Sequence, residues 1–123
     1  GNLFAALENR LILWLIFRGG VYNKKAITFK YISLLITSTK KSGNVYHTRN
    51  VFSNFKSWTE AKKQYRELKV PVTLVYGEHD WSSAENRLES RNLLNPEKYV
   101  ELTDTGHFSF LDAPENAAKV IKS

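Results

Sequence analysis

Two short motifs hold the residues best suited to proton-transfer chemistry, Gly77-Glu78-His79-Asp80 and Thr105-Gly106-His107-Phe108. The first follows an apolar run, Val70-Pro71-Val72-Thr73-Leu74-Val75-Tyr76, and the second a strand-like run, Lys98-Tyr99-Val100-Glu101-Leu102. A carboxylate that accepts from one imidazole nitrogen fixes the tautomer, leaves the other nitrogen as a base, and stabilises the imidazolium formed in a reaction. In an open parallel sheet, sites lie at the carboxyl ends of the strands. Asp80 and His107 each follow a strand-like run within a few residues, so two neighbouring strands would bring them to one edge. An acid followed by a histidine is two-thirds of a catalytic triad. The missing third is a nucleophile.

The other candidates are weaker. Trp81 and Phe108 are candidates for lining a substrate pocket, with Phe110 beside them, although packing serves equally well for all three. His79 neighbours the acid and is expected to point away from it into solvent, and His47 is expected on the surface. The three histidines lack metal-ligand spacing, so no metal is expected, and nothing in the sequence calls for a cofactor. The absence of cysteine excludes disulfides, a thiol nucleophile and thiolate metal sites.

The elements that must position Asp80 and His107 change character along the chain. Leu3, Leu7, Leu11 and Leu15, four apart with Phe4 and Trp14 alongside, predict a helix over 3–17 that Gly19-Gly20 ends. Ile27, Tyr31, Leu34 and Leu35 predict a second helix over 24–39, and Val45, Val51, Phe52 and Phe55 a third over 45–56. Ser57-Trp58-Thr59-Glu60 has the form of a capping box opening a helix through Leu68. The period then switches. Val70–Tyr76 predicts a buried strand with Pro71 at its start, where a missing donor costs least. Ser82-Ser83-Ala84-Glu85 predicts a cap and a helix to Leu94, 98–102 a second strand, and Asp112-Ala113-Pro114-Glu115 the start of a last helix. Strand–helix–strand–helix predicts a parallel pair with a right-handed crossover. Two parallel strands have bare edges, and nothing in residues 1–69 reads as more strands. Partner strands or self-association are therefore expected to complete the sheet.

The composition is that of a globular domain: 123 residues, 42% hydrophobic and 24% charged. The net charge of +6 is unevenly placed, with 13 Lys/Arg against 3 Asp/Glu before residue 70 and 5 against 9 after it. The basic residues are spread along predicted helices without an aromatic–basic motif. A solvated helical surface is therefore expected, with no nucleic-acid partner and no membrane-surface role. The longest apolar run, Leu11 to Phe17, falls well short of the roughly 20 residues that span a bilayer. The chain begins Gly-Asn and contains no methionine, which leaves open a cloning remnant or a piece of a longer protein.

The run from Val70 to Asp80 resembles the acid-bearing strand and loop of the α/β-hydrolase family. The run Thr105-Gly106-His107-Phe108-Ser109-Phe110-Leu111-Asp112-Ala113-Pro114-Glu115 resembles the same family's histidine loop and last helix. The resemblance covers about residues 68–123. It implies a partial α/β-hydrolase fold, with a helical cap at 1–68 and the carboxyl-terminal part of the core at 69–123. It also implies Asp80 as the triad acid and His107 as the triad base. The family's nucleophile elbow, Gly-x-Ser-x-Gly, precedes both. This sequence has none; Ser109 stands one place too late and lacks a second glycine. The expected function is hydrolysis of a small-molecule ester or related bond, completed by a missing amino-terminal half, with no activity from this chain alone. A non-catalytic binding or assembly subunit is the alternative. So is an epoxide hydrolase or dehalogenase with an aspartate nucleophile; Tyr22, Tyr31, Tyr46 or Tyr65 would matter only in the epoxide hydrolase, where cap tyrosines polarise the ring oxygen.

Overall fold

The computed structural model describes residues 10–40 and 42–122, and of Asn44 and Val45 the backbone alone. The predicted contributions of Leu3, Phe4, Leu7 and the Val45 side chain lie outside what is described. Helix α1 (Arg10–Gly19) is followed by a 3-10 turn (Lys24–Ala26), α2 (Phe29–Thr39), α3 (Asn44–Ser53), α4 (Phe55–Ala61) and a second 3-10 segment (Lys62–Glu67). Strand β1 (Thr73–His79), α5 (Ala84–Leu94), β2 (Lys98–Gly106), the short α6 (Ser109–Asp112) and α7 (Pro114–Lys122) complete the order. The chain is thus a mixed α/β structure with helices first and a parallel strand pair after them, as the change of period predicts.

The buried core belongs mainly to the first helices. Leu13, Val21, Ile27, Ile32 and Ile36 form one cluster, with Ile32 and Ile36 a helical turn apart on α2. Thr28 caps α2 by accepting from the Tyr31 amide at 3.2 Å. Phe108 and Leu111, from the segment after β2, pack against this cluster. The helical half and the strand half therefore meet at the histidine motif.

Several element boundaries differ from expectation, each for a local reason. The predicted helix over 24–39 begins with a separate 3-10 turn, because Asn23 caps it by accepting from Lys25 N and Ile27 returns to extended backbone. Ser57 is not a cap. It lies inside α4, and its hydroxyl donates to the Asn54 carbonyl at 2.7 Å. Phe52 and Phe55, predicted to face inward, are exposed. The cap of α5 is Ser83, which accepts from Asn86 N. Asp112 does not open the last helix; α7 begins at Pro114. Strand β1 is partly covered and not buried, and Val70, Leu88 and Ile121 around the sheet are exposed.

The sheet geometry sets the functional edge. Thr73 pairs with Lys98, and the register runs evenly to Gly77 opposite Leu102. The next pair is His79 opposite Gly106, so β2 spends two extra residues in a bulge. Asp104 in that bulge adopts left-handed backbone at φ 53°, which aspartate tolerates better than most residues. The strand therefore reaches four residues past Leu102, and Gly106, at the end of the polar 103–106 stretch that reads as loop, rejoins the ladder opposite His79. A Cβ at Gly77 would lie 2.2 Å from the Gly106 carbonyl oxygen, so only glycine permits this approach.

Two outcomes follow. Ile32→Ala, at a fully buried position, is expected to cost about 2–5 kcal/mol in urea denaturation, whereas Leu34→Ala, on the exposed face of the same helix, stays within about 0.5 kcal/mol. Gly77→Ala is expected to break the strand pairing beyond residue 77, seen as loss of amide-exchange protection at 77–79 and 104–106 while the α1–α2 cluster stays protected.

Candidate functional site

Because His79 faces Gly106 in a parallel ladder, the residues that follow, Asp80 and His107, emerge side by side. His107 Nδ1 lies 3.1 Å from Asp80 Oδ2. The other carboxylate oxygen, Oδ1, accepts from the Ser82 amide at 2.7 Å and the Ser82 hydroxyl at 2.6 Å, an Asx turn that stops the carboxylate from rotating. The Asp80 side chain is only 7% exposed and that of His107 is 45% exposed, so the acid is sheltered and the imidazole is accessible. Burial alone would raise the Asp80 pKa. The Ser82 hydroxyl and amide, together with His107, outweigh it and hold the carboxyl below its ordinary value. An ionised carboxylate only accepts, so the geometry assigns the proton to Nδ1 and the lone pair to Nε2.

Trp81 and Phe108 frame the imidazole. Trp81 stacks on the His107 ring at 4.6 Å and 16°, and its Nε1–H donates to the Gly19 carbonyl at 3.1 Å. Phe108 meets His107 and Trp81 edge-on and stacks on Phe17 of α1 at 4.7 Å. Its amide donates to the Gly20 carbonyl at 2.9 Å. A Cβ at Gly20 would lie 2.5 Å from the Phe108 ring and 2.8 Å from Trp81. The two aromatic candidates are therefore brought to His107, where their contacts hold the ring.

Two residues that the sequence offers only as capping or helix-start residues are part of this arrangement. Ser82 clamps the acid. Asp112 accepts from the backbone amides of Tyr22, Asn23 and Gly106 at 2.9, 2.8 and 2.8 Å. For Ser82 the available signal was the Asp-x-Ser spacing of an Asx turn. For Asp112 it was only its position two residues ahead of Pro114, too early to cap α7; its partners 89 and 90 residues away leave no local trace.

His79 is exposed, as expected, and stacks on Tyr22 at 4.7 Å. A hydrogen bond to the Asp104 carboxylate and the nearby negative charges raise the Tyr22 pKa. Glu78, His79 and Asp104 can each bring one ligand atom within 4.8 Å of the others. All three are exposed, and Glu78 Oε2 already accepts from the Asp104 amide at 3.1 Å. Tyr31 packs on Phe17, Tyr46 is exposed, and Tyr65 lines a groove of about 610 Å³ at the opposite, amino-terminal end of the strands.

Comparison with known proteins gives two partial similarities. Protein ABHD14A of Mus musculus is 36% identical over 55 residues, which cover 45% of this chain and 22% of that protein. A 1-acylglycerol-3-phosphate O-acyltransferase of Arabidopsis thaliana is 37% identical over 49 residues, 39% of this chain and 12% of that protein. The chain thus matches less than a quarter of the length of either relative. No protein-family model matches the chain. No solved structure matches it significantly. The similarities support a hydrolase-like or acyl-transfer relationship at that coarse level.

The lowered Asp80 pKa fixes the sign of a pH effect. The unfolded chain binds the Asp80 proton more readily than the folded one, so the group stabilises the fold fully above the ordinary carboxylate value of about 4. That contribution disappears as pH falls through the lower folded value. In urea titrations from neutral to acid pH, the stability advantage of the parent chain over Asp80→Asn is expected to shrink as pH falls. An advantage that grows on acidification would refute the assignment.

Proposed function

We propose that this chain is the cap and carboxyl-terminal core of an α/β-hydrolase that cleaves an ester or related bond, with His107 as its base and Asp80 as its acid. The single observation that carries the reading is the 3.1 Å contact between His107 Nδ1 and a carboxylate that Ser82 holds in place. Asp80 keeps the proton on Nδ1. Nε2 takes the proton of an attacking hydroxyl, and the imidazolium, stabilised by Asp80, delivers it to the departing alcohol. A serine hydroxyl outside these 123 residues is the nucleophile, and the segment carrying it supplies strands to the open β1–β2 pair. The exposed Val70, Leu88 and Ile121 around that pair are in keeping with such a covering.

The similarity to an acyltransferase favours a second outcome for the same site. An acyl group held on the nucleophile passes to an alcohol acceptor when one occupies the place of water. His107 performs the same proton transfers in both cases.

The test is turnover of a p-nitrophenyl ester, with and without a lysophospholipid as acceptor. The chain alone is expected to give none. The chain joined to its nucleophile-bearing segment is expected to turn over the ester, and His107→Gln to lower kcat by about 10³-fold or more. Turnover by the joined protein that His107→Gln leaves unchanged would sink the proposal.

A further inference from the structure

We infer that Asp112 is the positioning residue for His107, acting as an ionic clasp that fixes the histidine loop to the turn after α1. The inference rests on the reading of His107 as the base. Its ground is the hydrogen-bond pattern of one carboxylate. Oδ2 accepts from Gly106 N and Tyr22 N, and Oδ1 accepts from Asn23 N, all within 2.9 Å. Gly106 is the residue before His107, and it is buried. Its amide needs an acceptor, because an unpaired buried donor is costly. The residue after His107, Phe108, donates its amide to Gly20 O at 2.9 Å. The backbone on both sides of the histidine is therefore tied to one short segment, residues 20–23.

The side-chain supports lead to the same place. The indole stacked on the imidazole is held by the Gly19 carbonyl. The turn is itself cross-linked: Arg18 donates to the Lys24 carbonyl at 3.1 Å, and Lys24 Nζ donates to the Arg18 carbonyl at 2.8 Å. A carboxylate suits the clasp for a specific reason. Three N–H donors converge on its two oxygens, and an ionised acceptor strengthens each bond. A carboxamide can offer only one oxygen, so Asp112→Asn must turn an NH₂ group toward at least one of those amides. The Asp112 oxygens are engaged with these amides, and Asp112 acts on the imidazole only through the backbone. The tolerance is small, since a hydrogen bond weakens steeply once its distance and angle leave a narrow range.

The experiment reads the tautomer of His107 directly, by nitrogen NMR of the imidazole in this chain at alkaline pH, with circular dichroism as the control for folding. The parent chain is expected to show the Nδ1–H form, and Asp80→Asn is expected to lose it. Asp112→Asn, with its circular dichroism unchanged, is expected to lose the Nδ1–H signal as well. A protonated Nδ1 that persists in folded Asp112→Asn overturns the inference while leaving the relay reading intact. A parent chain without the Nδ1–H form, indifferent to Asp80→Asn, overturns both.

If Asp112→Asn fails to fold, the parent chain itself decides. Hydrogen exchange in the parent chain gives a measurement free of substitution. Slow exchange at Tyr22, Asn23 and Gly106 supports the clasp, and exchange at unfolded rates overturns it.

Discussion

The parallel register of β1 against β2 is the constraint on which the candidate site depends. Two strands running the same way end at the same edge, so residues just past the ends become neighbours without any further device. The bulge in β2 makes this work for Asp80 and His107. β1 advances two residues from Gly77 to His79 while β2 advances four from Leu102 to Gly106. Without those two extra residues, His79 would face Asp104, and His107 would leave the strand out of step with Asp80. The local cost is a left-handed Asp104 and a glycine at 77 that lets the Gly106 carbonyl approach.

The helical half contributes a second constraint, a floor for the histidine loop. Phe108 and Leu111 pack against the cluster of Leu13, Val21, Ile27, Ile32 and Ile36, and the Gly19–Asn23 turn makes the polar contacts. The site is therefore not an appendage of a two-stranded sheet. One side of the imidazole is set by the strand ends through Asp80. The other is set by α1 and its turn through Trp81, Phe108 and Asp112. Burial is graded accordingly, with a sheltered carboxylate beside an accessible imidazole.

The two halves were not equally legible in the sequence. A run rich in β-branched residues and ended by Gly77 made β1 visible, a short strand-like run after Asn95-Pro96 made β2 visible, and their alternation with a helix implied a parallel pair. Ends were harder. Ser57 resembles a cap by spacing, yet α4 starts before it, because a Ser-x-x-Glu pattern inside a helix looks the same as one at its start. The exposure of Phe52 and Phe55 could not be foreseen from periodicity, which gives a face but not what covers it. Thr103–Gly106 looked like loop because polar residues and a glycine usually end strands; here pairing with His79 continues it.

The sequence by itself determined the chemistry on offer: an acid and a histidine in that order, each just past a strand, with neither cysteine nor a Gly-x-Ser-x-Gly elbow to supply a nucleophile. Those are properties of residue type and local spacing, which a linear chain displays openly. Tertiary structure alone decided that Trp81 and Phe108 brace the imidazole, and that Asp112 binds amides far behind it in the chain. Hydrogen-bond partners are chosen by proximity in the folded state. A carboxylate whose donors lie 89 and 90 residues away gives no periodicity by which to be recognised.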